Sequence, residues 1–388
     1  MLERNKANLI LQSKSPYVEQ FLTHEISSGR GQRYLDLLWR FYEKAGHYDK
    51  AAMLLSRLAD NEKFVLCTKF LSTSLFQFQM LSFCCFSEEI SLSQRFAYLS
   101  HAIICAQAGN DPKTKAMIQE LRDKVEVAHI QLAIKFVSYR LLFSSSNGIE
   151  YGCGSRECMD IRTPKQQELV KLLDGPILSL QVLLEKFAAP YGLHKVQLAI
   201  FHCANLYSEE PIMAVWENIL QSEFKYEGEV SERLLCTLHE LYAIYGSTKY
   251  FPRNFILRRL LEMGSGLSDR SRRGILPASF FVSLITKLEL GYVDFIEVLS
   301  SEYRTGDPWW TQNEAGQRYI MEVGIAVVQA FLDSGAKFTP MERAKIAAIC
   351  DSCVSMFSLD ARAVSSQHLL QLDRHFSALH LRLTAMSS

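Results

Sequence analysis

Cys350 and Cys353 sit three residues apart, and that spacing is the most suggestive of chemistry in this sequence. A CxxC pair serves redox exchange on a βαβ scaffold, or supplies half of a tetrahedral zinc site. Neither setting accompanies it. The flanking AKIAAIC and CVSMF read as a buried helix, where cysteines at i and i+3 act as small core residues. Cys153 and Cys158 lie in a Gly- and Ser-rich stretch with no matching His or Cys pair. His202 and Cys203 are adjacent, so on a helix they point about 100° apart and cannot work together as base and nucleophile. His239-Glu240 lacks the second His, four positions on, that a zinc-dependent peptidase motif requires. His368, His375 and His380 follow one another along the last predicted helix, where a solvated His is the ordinary case. No phosphate-cradling GxxxxGK[ST], no GxGxxG after a strand and no GxSxG occurs. The GCG at 152–154 stands alone in a loop. Arg270, Arg272 and Arg273 form a small basic cluster in a second loop. These residues point to no catalytic site, no cofactor and no metal.

The elements that would have to position any site are helical throughout. Tyr34 to Lys44 carries Leu35, Leu38, Trp39 and Tyr42 on one face. After Ala45-Gly46, His47 to Ala59 turns Ala51, Leu54, Leu55 and Leu58 inward, which predicts an antiparallel hairpin. A short helix over Pro16 to Ile26 precedes them. The longest predicted element runs from Pro112 to about Phe143. Its apolar stripe is Ile118, Leu121, Val125, Ala128, Leu132, Phe136, Tyr139 and Phe143, and only neighbouring helices can bury it. Further helices are predicted over 91–106, 165–173, 177–187, 194–204, 211–224, 231–245, 253–263, 278–288, 292–303, 314–332, 340–357 and 362–383. Ser91 with Gln94, and Thr339 with Glu342, fit capping boxes. Gly109, Gly246, Gly264, Gly291 and Gly335 stand where C-terminal caps are expected. No alternation at period two is found, so the expected class is all-α. Without a fixed repeat length, the expected architecture is an irregular α-solenoid of stacked antiparallel hairpins.

Bulk composition agrees. The chain has 388 residues, 48% of them apolar, enough to offset the entropy of ordering. Forty-two basic and 42 acidic residues cancel, so no overall field would recruit nucleic acid or anionic lipid. Ten scattered cysteines and a polar, charged stretch from Met1 to Leu9 read as reduced thiols of the cytosol or nucleus. From Phe70 to Phe86 the chain carries no charge, but Ser72, Ser74, Gln77, Gln79 and Ser82 make it a poor membrane span.

Several blocks taken together resemble a known family. They are GQRYLDLLWRFYEKAGHYDKAAMLLSRLAD (31–60), EISLSQRFAYLSHAI (89–103), KVEVAHIQLAI (124–134), KVQLAIFHCA (195–204) and DPWW (307–310). In this order they look like the C-terminal half of the non-repetitive inner-ring scaffold nucleoporins, the one-hundred-fifty-five-kilodalton nucleoporin of animals and its fungal relatives. The resemblance implies a single helical solenoid over 1–388, forming the C-terminal part of a larger scaffold in the nuclear pore complex at the nuclear envelope. It implies partners among other nucleoporins, above all the flexible linker nucleoporins of the inner ring. Membrane contact in the family belongs to an N-terminal β-propeller, so none is expected of this chain. Two segments depart from the family pattern. Residues 61–88 form an apolar insert between Asp60 and Glu89-Ile90, and 144–163 reads as a flexible loop.

On this resemblance, a groove for a linker peptide is expected to use aromatic residues: Phe251, Phe255, Trp309 and Trp310. Two other readings stay open. A vesicle-coat or tetratricopeptide-like adaptor would suit WRFYEKAGHYDKAAMLL, although further copies at a regular period are missing. A metal-dependent helical enzyme would need the Cys350 and Cys353 pair to bind zinc.

Overall fold

A computed structural model describes residues 10–13, 15, 17–27, 32–60, 90–144, 164–225, 230–266, 276–334, 341, 344–348 and 367–387. The insert 61–88, all but the first residue of the loop 144–163, and the Cys350–Cys353 pair lie outside the described residues. So do Cys153, Cys158 and the Thr339 cap. The described residues form helices and turns without a strand. The chain divides into two compact units, Met1–Leu206 and Tyr207–Ser388.

The first unit opens with α1 (Tyr17–Ser27), α2 (Gln32–Lys44) and α3 (Tyr48–Asp60). The predicted α2 and α3 faces are the observed ones. Leu35, Leu38 and Trp39 are buried from α2, and Ala51, Leu54, Leu55 and Leu58 from α3. Gly46 sits in the left-handed region at φ +77° and makes the tight turn between them. Helix α4 (Leu92–Ala108) begins at the expected capping box. Ser91 Oγ accepts from the Gln94 N–H at 3.4 Å, and Gln94 Oε1 accepts from the Ser91 N–H at 3.2 Å. Helix α4 packs on α3. At the seam, Arg95 is buried, and its guanidinium donates to Ile90 O at 3.2 Å and Ala59 O at 2.5 Å.

The single long element predicted from Pro112 is broken. Pro112–Ala116 forms a short α5, a turn at Met117 (φ −79°, ψ −7°) follows with its N–H still donating to Lys113 O at 3.3 Å, and α6 runs from Ile118 to Ser144. The predicted stripe also needs correction. Leu121 and Ala128 are buried, and Ile118, Val125 and Leu132 pack against the same core, but Phe136 is 63% exposed. The physical reason is that α6 serves two cores. Leu121, Val125, Ala128 and Leu132 face the cluster built by α1 to α4, while Val127, Ile130 and Ile134 face a second cluster with Leu173, Leu183, Phe187 and Ile200. A helix covered on two sides does not keep its apolar residues on one line.

That second cluster is built by α7 (Pro164–Asp174), α8 (Leu180–Leu183) and α9 (His194–Cys203). The helix expected over 177–187 starts later, at the Ser179 cap, and ends in a π-helical turn, Leu184–Ala188. Pro190 explains that ending, since it cannot continue an α-helical ladder. Gln131 of α6 is fully buried here. Its Nε2 donates to Leu173 O at 2.9 Å and Pro176 O at 3.0 Å, and its Oε1 accepts from the Leu178 N–H at 2.9 Å. One amide thereby satisfies the backbone between α7 and α8.

The second unit holds α10 (Glu209–Lys225), α11 (Val230–Tyr245), α12 (Arg253–Gly264), α13 (Ala278–Lys287), α14 (Tyr292–Thr305), α15 (Pro308–Thr311), α16 (Glu314–Asp333) and α17 (Gln367–Ser387). Helices pack in pairs, α10 on α11 and α15 on α16, and α16 also packs on α17. Pairs then stack on pairs, α10 on α12 and α11 on α13. Within each unit this is the packing of an irregular α-solenoid. Phe281 of α13 lies 5.4 Å from Phe280, 5.7 Å from Phe295 of α14 and 6.4 Å from Tyr319 of α16, ring centre to ring centre. The cap expected at Gly291 is reversed: Gly291 is the N-cap of α14, not a C-cap.

Candidate functional site

The four aromatic residues expected to meet a partner all belong to the second unit, and α12 ties them together. Phe251 precedes α12, and Phe255 lies in its first turn. Trp309 and Trp310 lie in α15, a helix set by Asp307 and Pro308 at its start. Gly306 ends α14 in the left-handed region at φ 66°, which turns the chain sharply into α15. Arg258 of α12 reaches this corner. Its guanidinium pairs with Asp307 and, at 3.1 Å through Nε, with Glu302 of α14. Glu302 is only 3% exposed, so the pair is sheltered from solvent on one side. One arginine thus brings 251–255 and 307–310, distant in sequence, to the same helix.

Burial separates Phe251, Trp310 and Phe255. Phe251 is 6% exposed and packs edge-on against Trp216 at 5.0 Å and Tyr242 at 5.2 Å. Trp216 is fully buried, and its Nε1 donates to Tyr250 O at 2.9 Å. Trp310 is 2% exposed. These two rings hold the unit together, at roughly 1.5–3 kcal/mol for each large buried side chain. Phe255 is half-buried, with Asn254 and Arg258 exposed beside it on α12.

Charged groups stiffen the surroundings. Arg259 grips Glu217 of α10 through two nitrogens, Nε at 2.5 Å from Oε2, and also pairs with Glu262. Burial pushes the Glu217 carboxyl up, but hydrogen bonds from Arg259 and Gln221 outweigh it and hold the group below its ordinary range. The same contact raises Arg259. Arg253 pairs with Asp294 of α14 at 3.1 Å. Glu223 of α10, nearly buried, accepts from Arg233 Nε and Thr237 Oγ1 of α11, each at 3.0 Å. Beside this region, exposed Tyr207 meets Tyr250 edge-on at 6.0 Å, and Lys249 Nζ stands 4.7 Å from the Tyr207 ring centre.

Sequence reasoning missed Arg258, Glu302, Trp216 and Tyr207. A lone Glu or Arg at helical spacing carries no signal of the partner that will bury it. The one available hint was DPWW, whose acidic cap and proline announce a turn.

Those of the residues weighed for chemistry that lie among the described residues do not assemble. His202 Nδ1 lies 3.8 Å from Glu126 Oε1, and the half-buried Cys203 thiol is pushed up to about 11, by burial first and then by Glu126 and Asp123. His239 and Glu240 are exposed. Among the described residues no three His, Cys, Asp or Glu side chains gather as a metal site would require, and no helix is long and apolar enough to cross a membrane.

Stacked helix pairs, locked by buried aromatic rings and sheltered ion pairs, define a helical scaffold module. The chain belongs to the family of non-repetitive/WGA-negative nucleoporins, in their C-terminal part, whose family model matches residues 1–371. Among individual proteins, it is 26% identical over 342 residues to the nuclear pore complex protein Nup154 of Drosophila melanogaster, covering 86% of this chain and 21% of that protein. It is 24% identical over 237 residues to the nucleoporin NUP170 of Saccharomyces cerevisiae, covering 60% of this chain and 13% of that one. The chain therefore spans about a fifth of the length of the first of these relatives and less of the second. Among solved structures, it matches the Chaetomium thermophilum Nup170 C-terminal domain in its complex with Nup145N. The TM-score is 0.69 at 20% identity, over 98% of this chain and 69% of that one. At that identity the likeness establishes the fold.

Proposed function

We propose that this chain is a structural segment of the nuclear pore inner ring that binds flexible linker nucleoporins and supports nucleocytoplasmic transport without catalysing a reaction. The observation that carries this reading is the likeness of its fold to a Nup170 C-terminal domain crystallised with Nup145N. Kinship with Nup154 and NUP170 places the reading at the nuclear envelope.

The contact region proposed is the face of α12 and α15 carrying Phe251, Phe255, Trp309 and Trp310. Buried Phe251 and Trp310 would support it from beneath, while half-buried Phe255 meets the partner. The test uses the chain as bait in nuclear-envelope extract, followed by titration of each retained linker segment. Retention of linker nucleoporins is expected. Phe255→Ala should weaken the titrated affinity about tenfold, as loss of one apolar anchor does, with an unchanged circular-dichroism spectrum. Retention of vesicle-coat proteins and no nucleoporins would replace this reading with the adaptor one. Unchanged affinity in Phe255→Ala would move the contact elsewhere.

A further inference from the structure

The described free cysteines differ sharply in access. Cys105 is buried and Cys203 half-buried, and burial pushes both thiols up to about 11. Cys236, on α11, is exposed. It also has a specific neighbour. Lys287, in the last turn of α13, points its Nζ at Cys236 Sγ from 3.7 Å, a contact between residues 51 positions apart. The two helices pack on each other, so the pair is held by the fold and not by local sequence. We propose that Cys236 and Lys287 form a peroxide-sensitive covalent switch that joins α11 to α13.

The chemistry follows from the contact. A hydroperoxide such as hydrogen peroxide transfers one oxygen to Cys236 sulfur, giving the sulfenic acid and water. In a solitary exposed cysteine that acid persists or is oxidised further. Here an amine already stands at the sulfur. Lys287 releases a proton, its nitrogen lone pair attacks sulfur, the S–N bond forms, and the sulfenic hydroxyl leaves as water. The sulfur has lost two electrons and the peroxide has gained them. With hydrogen peroxide the sum is thiol plus ammonium plus peroxide giving sulfenamide, two waters and one proton. A small thiol breaks the link by attacking sulfur and releasing the amine, and a second thiol reduces the resulting mixed disulfide to restore Cys236. While it lasts, the link closes a long stretch of chain and restrains α11 against α13.

The experiment treats the intact chain with about one equivalent of hydrogen peroxide, digests it without reductant and weighs the peptides. Expected is a Cys236 peptide joined to a Lys287 peptide, lighter by two hydrogens than their sum and separated again by dithiothreitol. In Lys287→Arg the joined species should vanish and Cys236 should pass on to sulfinic acid. Cys236→Ser gives the background. The proposal is overturned if wild type and Lys287→Arg reach sulfinic acid at the same rate without a joined peptide, or if Cys236 joins other lysines equally.

Discussion

At the scale of single residues, the polar side chains that matter most are those that close backbone gaps. Gln131 is the clearest case, because both ends of its amide are used on the segment between α7 and α8. Gln131→Ala leaves two carbonyls and one N–H without their partner inside the core. The cost of a stranded buried group is about 1–3 kcal/mol, so a loss of about 3 kcal/mol is expected, read as a lower denaturation midpoint. A shift near zero would mean that water replaces the amide there. Gly109 makes a different point. It is the C-cap of α4, as expected, but its φ of −72° suits any residue, so backbone conformation is not why glycine stands there. A Cβ at Gly109 would lie 2.1 Å from Asp49 Oδ1, the same oxygen that accepts from the Asp111 N–H. Gly109→Ala should therefore destabilise the α4–α5 corner by about 1–2 kcal/mol. Replacing Asp49 by Ala in the same chain should recover part of that loss in a double-mutant cycle.

At the scale of elements, Arg95 has a larger role than its helix position suggests. It holds Ala59 O at the end of α3 and Ile90 O just before α4, the two sides of the inserted segment. Lys124 of α6 adds a 2.8 Å pair to Asp60 at the same place. Because these contacts fix the ends of 61–88, a chain lacking those residues should still pair α3 with α4. Closure by a shorter connection costs no more than the long one, since the entropic cost grows with loop length. The deletion variant is expected to keep its helical circular-dichroism signal and melt within a few degrees of the parent. Arg95→Ala should lower the melting temperature in both backgrounds. Collapse of the deletion variant would show that 61–88 contributes to the core.

Much of this architecture was legible because amphipathic periodicity reports burial on one side. It placed α2, α3, α4 and most helices of the second unit within a few residues of their ends. It failed where a helix is covered from two directions, as α6 is, where a turn at Met117 divides the predicted element, and at the π-helical turn before Pro190. The candidate site was legible only in part. Aromatic clusters could be named from sequence, but that Phe251 and Trp310 are buried depends on Trp216 and on α12, which no local pattern announces.

At the scale of the whole molecule, charge decides which partners are reachable. With 42 basic and 42 acidic residues the chain has no net field, and the charges around α12 are already spent on one another. A protein that binds duplex DNA through many phosphate contacts loses about 10³–10⁵ in affinity between 50 and 200 mM salt, because counterions are released. A linker segment held by apolar anchors and backbone hydrogen bonds would show a far shallower dependence. Titrating a retained linker nucleoporin segment and a fluorescent duplex side by side across that salt range separates the two. The segment's affinity should fall by less than about tenfold, and the duplex should not bind at 150 mM salt. Tight duplex binding with a steep salt slope would mean that a basic surface, and not the aromatic region of α12 and α15, governs what this scaffold holds.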